Sequence, residues 1–491
     1  MIVKEHYDVI VVGTDLAPLL CAALLCKRGF RVLVVGDGSP EPEPLTGVIC
    51  EIDSPVARRV LAELGIQQVV RRMEQALDPR FQMVTPGVRL DVHADHERLM
   101  ASVAREIPAE AAAAKAFYEA VYAGLESVDR VLAREVAIPP RGFIEKQRLR
   151  RLLSSTPFGQ DGLGGRLLDA LASAPGLRTC LLAHIVPRSR LERGQIVPVH
   201  AALLHGRAVR SQVLLRDGLA GLKDLLRKRV SNTRGEARTE ERIEEIEIDG
   251  GRVVHVRLAG HESATGCDTL VSGVRLGWLA GLVRQDGSRI DGRALGMHGL
   301  EMVAHRATIG FVLRDEAFPE PMARLVHVIF DENEPPFEAN LAVLERLSGS
   351  DEGTSGLGVS FLVGHARLLE DPSCLRAVAA EVKRRLRRVV PFLEGFVIDE
   401  RPVPDLGPPS GSDEDPSEAI ARVLPALYRT SSPGPWGACG VGFTTRIPNV
   451  VVCSAEVLPG FGDEGQWIAA WGAAGLVASR DRSRTRWKSR L

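Results

Sequence analysis

Asp8-Val9-Ile10-Val11-Val12 reads as a buried parallel strand. Gly13-Thr14-Asp15-Leu16-Ala17-Pro18 follows it, where a dinucleotide-binding turn carries Gly-x-Gly-x-x-Gly. In such a turn the first glycine makes the bend, and Gly13 keeps it. The second lets a pyrophosphate approach the backbone at the positive end of a helix; here it is Asp15. The third lets helix and strand pack closely; here it is Pro18. An acidic residue after the second strand normally holds ribose hydroxyls. That place falls to Gly36, with Asp37 one residue late.

These departures carry electrostatic weight. A carboxylate about 4 Å from a phosphate charge opposes it by roughly 4 kcal/mol at an effective dielectric near 20. Asp15 also suits the N-cap of the following helix, where its carboxylate would accept free N–H groups in the phosphate's place. Pro18 costs the helix little, because a first-turn N–H has no partner within the helix.

Other chemistries find little support. The eight cysteines form no Cys-x-x-Cys pair and read as buried thiols in a reducing compartment. His93 and His96 are three apart but have no second ligand pair, so no metal is expected. No Gly-x-Ser-x-Gly, Walker or zinc-protease motif occurs. A net charge of -1 gives no reason to expect nucleic acid. No signal peptide or apolar span of membrane length is seen, which points to a cytoplasmic protein, membrane-peripheral at most. Two basic segments bear on that. The tail Arg480 to Arg490 is a candidate contact for anionic lipid, its plainer reading a frayed end. Lys146 to Leu152 suits an interfacial helix or an ordinary surface one.

The elements that position these residues follow from pattern. A helix from Leu19 to Arg28 stops at Gly29, and Arg31 to Val35 forms the second strand. Pro55 to Leu64 is an amphipathic helix. Phe81 to Val92 is a strand pair around Pro86-Gly87, and Asp95 to Val136 is helical with a break at Ile107-Pro108. Arg216-Asp217-Gly218-Leu219-Ala220-Gly221-Leu222 leads into a helix. Ile243 to Ile248 and Arg252 to Leu258 form a hairpin about Asp249-Gly250-Gly251, and Asp268 to Gly273 is a further strand. Strands are expected at Ala304 to Leu313 and Leu357 to Val363, and a helix at Ser373 to Val390. Gly411 to Asp415 reads as a solvated acidic loop. Asn449 to Cys453 is a buried strand, and Gln466 to Ser479 a helix.

In this order, four segments resemble the FAD-dependent superfamily of phytoene desaturases, amine oxidases and Rab GDP-dissociation inhibitors. They are Tyr7 to Val35, Arg216 to Leu222, Ile243 to Gly273, and Pro448 to Gly465; the desaturase-like branch is the most similar. The resemblance implies an α/β fold, a discontinuous Rossmann-like FAD-binding domain with an inserted α+β substrate domain. The FAD-type domain would comprise 1–60, 211–290 and 435–491, and the substrate or partner domain 61–210 and 291–434. It implies cofactor contacts at Gly13, Thr14, Asp15, Gly36, Asp37, Ile243 (beside adenine), Glu456 (on the ribityl side), Gly462, Asp463 and Gly465. Ala455-Glu456 stands where the family has Gly-Asp. Asp217 and Trp278 fall in flavin-adjacent segments without an assigned role, and no catalytic side chain is identified.

Two functions follow. The first is an FAD-dependent oxidoreductase, taking hydride from an apolar, isoprenoid- or lipid-like substrate onto flavin. The second is a non-catalytic pseudo-flavoprotein. Departures at Asp15, Pro18, Gly36 and Ala455 would have cost it FAD, and it would hold a protein or lipid-bearing partner, as Rab GDP-dissociation inhibitors do.

Overall fold

Tyr7 and Val9 to Val12 expose nothing to solvent, so their strand must be covered on both faces, as in a parallel α/β sheet. In the computed structural model β1 (Val3–Val12) is that strand. It pairs in parallel with β2 (Val32–Gly36) on one side and Ala264–Ser272 on the other. The parallel set continues outward to Gly235–Asp249 beyond β2 and Val450–Val452 beyond Ala264–Ser272. Arg252–Leu258 folds back antiparallel on Gly235–Asp249 as a hairpin. The structure describes residues 3–38, 48–49, 51–164, 171–285, 288–289, 295, 299–348, 351–406 and 415–481.

Between β1 and β2 lies α1 (Leu16–Lys27), in which every residue from Leu16 to Cys26 is buried. A helix apolar on all sides must be enclosed by other helices. Pro55–Leu64, Gly218–Ser231 and Glu464–Arg480 pack around it. Pro18 sits in its first turn and lies against Gly273, just past the end of Ala264–Ser272. A Cβ at 273 would fall 2.4 Å from the Pro18 Cβ and 2.6 Å from the Val12 carbonyl oxygen. The small residue that close packing needs has therefore moved from the helix to the neighbouring strand end.

The second sheet runs Val397–Arg401, Leu300–Arg314, Thr354–Gly364, Leu341–Ser348, Leu325–Ile329, Phe81–Val84, Arg89–Val92, with Ala426–Thr430 also on Leu300–Arg314. Leu325–Ile329, Leu341–Ser348 and helix Pro175–Ile185 are elements the sequence pattern does not reveal. Asp415 is exposed, as expected of a solvated acidic segment, and caps helix Pro416–Val423 by accepting the Ser417 N–H at 2.8 Å. Gly411 to Glu414 lie outside the described residues. Seven cysteines are free and buried; Cys50 lies outside the described residues.

Against the second sheet, histidines are buried together. Phe81 stacks on His184 with ring centroids 4.2 Å apart, and His327 lies 4.5 Å from His184. His205 approaches His184 at 3.3 Å and the Tyr118 hydroxyl at 3.1 Å. Burial holds all three well below the ordinary imidazole pKa, His205 at about 3. Burial likewise places His200 and His305 at about 4.

Two tests follow from this packing. Gly273→Ala should destabilise by about 1–3 kcal/mol through overpacking against Pro18, read as a lower urea midpoint at unchanged slope. The second concerns pH. These five histidines take up protons near 6.5 when unfolded but only at much lower pH when folded, so the unfolded state gains protons first as pH falls. Stability should be full above about pH 7 and fall steadily below about 6.5, each group contributing up to about 1.4 kcal/mol per pH unit. Glu456 and Glu464, held above the carboxylate range by burial, act in the opposite direction but are fewer. Urea titrations at about pH 7.5 and 5.5 should differ by several kcal/mol; equal midpoints would contradict neutral burial.

Candidate functional site

The turn after β1 keeps its glycine. Gly13 adopts φ +108, a left-handed value that favours glycine, and its N–H donates to the Val35 carbonyl at 2.8 Å. Thr14 is half-buried. Asp15 does not cap α1. Its side chain makes no cap hydrogen bond, is 77% exposed, and faces the Lys223 ammonium at 3.6 Å. Lys223, on the neighbouring helix Gly218–Ser231, draws the carboxylate away from the helix end, so the self-capping expected from sequence is not realised.

At the end of β2 the chain has closed over itself. Pairing with Gly235–Asp249 jumps from Val35–Arg238 to Gly36–Arg242, so residues 239–241 bulge out of register. A Cβ at 36 would lie 2.3 Å from the Thr239 carbonyl oxygen. No side chain, and so no ribose-binding carboxylate, fits there without moving that backbone. Asp37 is half-buried, and Gly38 (φ +77) is exposed with the Arg242 side chain 2.9 Å from where a Cβ would be. Ile243 is 2% exposed and paired with Leu258, part of the core beside this bulge.

The C-terminal segment is closed in the same way. Glu456 does not face open space: its carboxylate meets Arg275 at 3.2 Å and accepts the Leu276 N–H at 3.2 Å. Arg275 also grips Glu418 through two bonds of 2.9 Å and donates to the Tyr428 hydroxyl at 2.9 Å. Burial lifts Glu456 above the carboxylate range, and the Arg275 charge pulls it back. Burial and the loss of solvent raise Tyr428 to about 12. Gly462 (φ +56) is approached by the Arg188 carbonyl, 2.8 Å from where a Cβ would be. Gly465 is approached by the Leu458 carbonyl, at 2.4 Å by the same measure. Asp463 faces Arg190 at 3.7 Å. Glu464 is buried facing Arg207 at 3.4 Å, and Arg207 is also held by Asp129. Ala455 is half-buried; Asp217 and Trp278 lie at the starts of two helices and contribute no polar contact to this region that is described.

The structure thus gathers Gly13, Thr14, Asp15, Gly36, Asp37 and Ile243 around the β1–β2 end of the first sheet. It gathers Glu456, Gly462, Asp463 and Gly465 around the start of helix Glu464–Arg480. Arg275, Glu418, Tyr428 and the Thr239 carbonyl complete both places and are not evident from sequence reading. Only Arg275 leaves a signal: a lone cation within Val271 to Leu282, an otherwise uncharged apolar run, must find a buried counter-charge. A recess of about 430 Å³ is lined by Phe143, Ile144, Gln147, Arg148, Arg151 and Leu152, none of them at either place. Among the described residues no group of three side chains could hold a metal ion; His93 pairs with Asp78 at 2.8 Å and His96 packs against Tyr122. No helix among them is long and apolar enough to cross a membrane. Arg275→Ala should destabilise by about 3–5 kcal/mol, because it leaves Glu418 and Glu456 buried without their cation. Adding Glu418→Gln and Glu456→Gln should recover part of that loss in the same denaturation assay.

No family model matches the chain, and no curated protein matches it. Solved structures do. An oxidoreductase from Methanosarcina mazei is 12% identical with a TM-score of 0.54, over 96% of this chain and 100% of that one. A putrescine oxidase double mutant with redesigned cofactor binding is 12% identical with a TM-score of 0.54, over 97% of this chain and 100% of that one. The PF1083 protein from Pyrococcus furiosus is 14% identical with a TM-score of 0.52, over 96% and 97%. At these identities the likeness is one of fold: the chain has the α/β, Rossmann-type architecture expected from its sequence.

Proposed function

We propose that the chain is a non-catalytic binding protein on a flavoenzyme fold, without FAD, holding a protein or lipid-bearing partner. The observation that carries this reading is the Thr239 carbonyl seated at Gly36, 2.3 Å from where any side chain would begin. A dinucleotide in the pose this fold uses normally has a carboxylate at that point for its ribose. Three further contacts support the same reading. Glu456, the candidate ribityl partner, is taken up by Arg275. Gly462 and Gly465, the candidate frame for the ring, are approached by the carbonyls of Arg188 and Leu458. A partner-holding role matches the precedent of the Rab GDP-dissociation inhibitors, which the sequence resembles and which use this scaffold without flavin.

A second reading, an FAD-dependent oxidoreductase acting on an apolar, isoprenoid-like substrate, is favoured by one observation. The Nε2 of His200 and the Nε1 of Trp436 and Trp467 are buried without hydrogen-bond partners at or beside the segment 459–467. Orphaned polar atoms of this kind are met where a polar ligand or water enters.

Absorbance of the purified protein between about 350 and 500 nm, followed by calorimetric titration with FAD, separates the two. The expected protein is colourless and gives no binding heat. A yellow protein, or FAD uptake at micromolar concentration, would establish the second reading. Asp15→Gly should not restore uptake, because the Thr239 and Arg188 carbonyls remain in place. Restored uptake would mean that the Asp15 charge alone excludes the cofactor.

A further inference from the structure

We propose that the outward face of helix Phe143–Ser154 docks the protein on an anionic lipid bilayer. Phe143 and Ile144 open this helix 75% and 83% exposed, the most exposed of the large apolar side chains among the described residues. The opposite face is anchored: Leu149 and Leu153, one turn apart, are buried in the main core. The exposed stripe continues behind the apolar tip. Residues 143, 147 and 151, and 144, 148 and 152, recur at one-turn spacing and together line the recess of about 430 Å³.

Charge decides the partner. Lys146, Arg148, Arg150 and Arg151 are exposed, and no ion pair is made by any of them among the described residues. The helix's one acid, Glu145, is held by Arg141, through its guanidinium at 2.8 Å and its backbone N–H at 2.8 Å. A chain of net charge -1 thus concentrates positive charge beside two exposed apolar side chains. All six residues lining the recess come from a single helix, so among the described residues no opposing wall grips a folded partner's side chain or a small ligand. A bilayer needs no wall. It takes an apolar tip into the acyl boundary while cations sit among the headgroups. The face is independent of whether a cofactor binds.

The test is co-sedimentation of the full chain with vesicles of phosphatidylcholine alone and of phosphatidylcholine mixed with phosphatidylglycerol. The chain should pellet with the anionic vesicles and stay in solution with the neutral ones. Arg148→Gln/Arg150→Gln/Arg151→Gln should weaken anionic binding about a hundredfold. Phe143→Ser/Ile144→Ser should abolish it even at low salt. These positions are exposed, so circular dichroism and the urea midpoint should be unchanged. A full chain with Arg482, Arg484, Arg486, Lys488 and Arg490 all changed to Gln should keep most of the binding. Loss with that tail variant, equal binding to both vesicle types, or no binding to either would overturn the proposal. So would concentration-dependent self-association abolished by Phe143→Ser/Ile144→Ser, which would assign the face to a second copy.

Discussion

Arg275 is a single guanidinium shared by four segments of chain. It follows the strand Ala264–Ser272 of the first sheet and binds Glu456 from the C-terminal segment of the same domain. It binds Glu418 from a helix of the other layer and Tyr428 from a strand of the second sheet. Two buried carboxylates without a cation would each seek a proton or water. With Arg275 between them they close the junction of the two layers instead. Gly277 is part of this arrangement: a Cβ there would sit 1.9 Å from a Glu418 oxygen, so only glycine lets that carboxylate reach its partner.

The same logic recurs along the edge where this fold presents its strand ends. At four glycines a group of the chain itself comes close: the Thr239 carbonyl at Gly36, the Arg188 carbonyl at Gly462, the Leu458 carbonyl at Gly465 and the Pro18 ring at Gly273. On the proposed reading, glycines that look like a cofactor cradle in sequence serve internal packing. At each of these positions the close approach leaves no room for a Cβ.

Sequence carried the frame well. Val9 to Val12 and Val32 to Val35 are uninterrupted β-branched or apolar runs, and such runs fit few structures other than a doubly covered parallel sheet. The hairpin over 243–258 was legible because Asp249-Gly250-Gly251 dictates a tight turn between alternating strands. The Asp15 self-cap was not: capping is a local expectation, and Lys223, more than 200 residues away in sequence, overrides it. The bulge at 239–241 was hidden for the same reason, since register between β2 and a distant strand leaves no local mark. Strands such as Leu325–Ile329, short and followed by polar turns, depend on neighbours for their existence. Site geometry is thus the part least legible, because it is made of contacts between segments remote in the chain.

The central claim is that groups of the protein itself stand where this fold elsewhere places a dinucleotide. A crystal structure of the protein grown in saturating FAD tests it most directly. The account predicts a Glu456–Arg275 contact still near 3.2 Å and the Thr239 carbonyl still lying over Gly36. Density for a dinucleotide along Gly13 and Gly36, with the 238–242 backbone displaced and Glu456 released from Arg275, would contradict it.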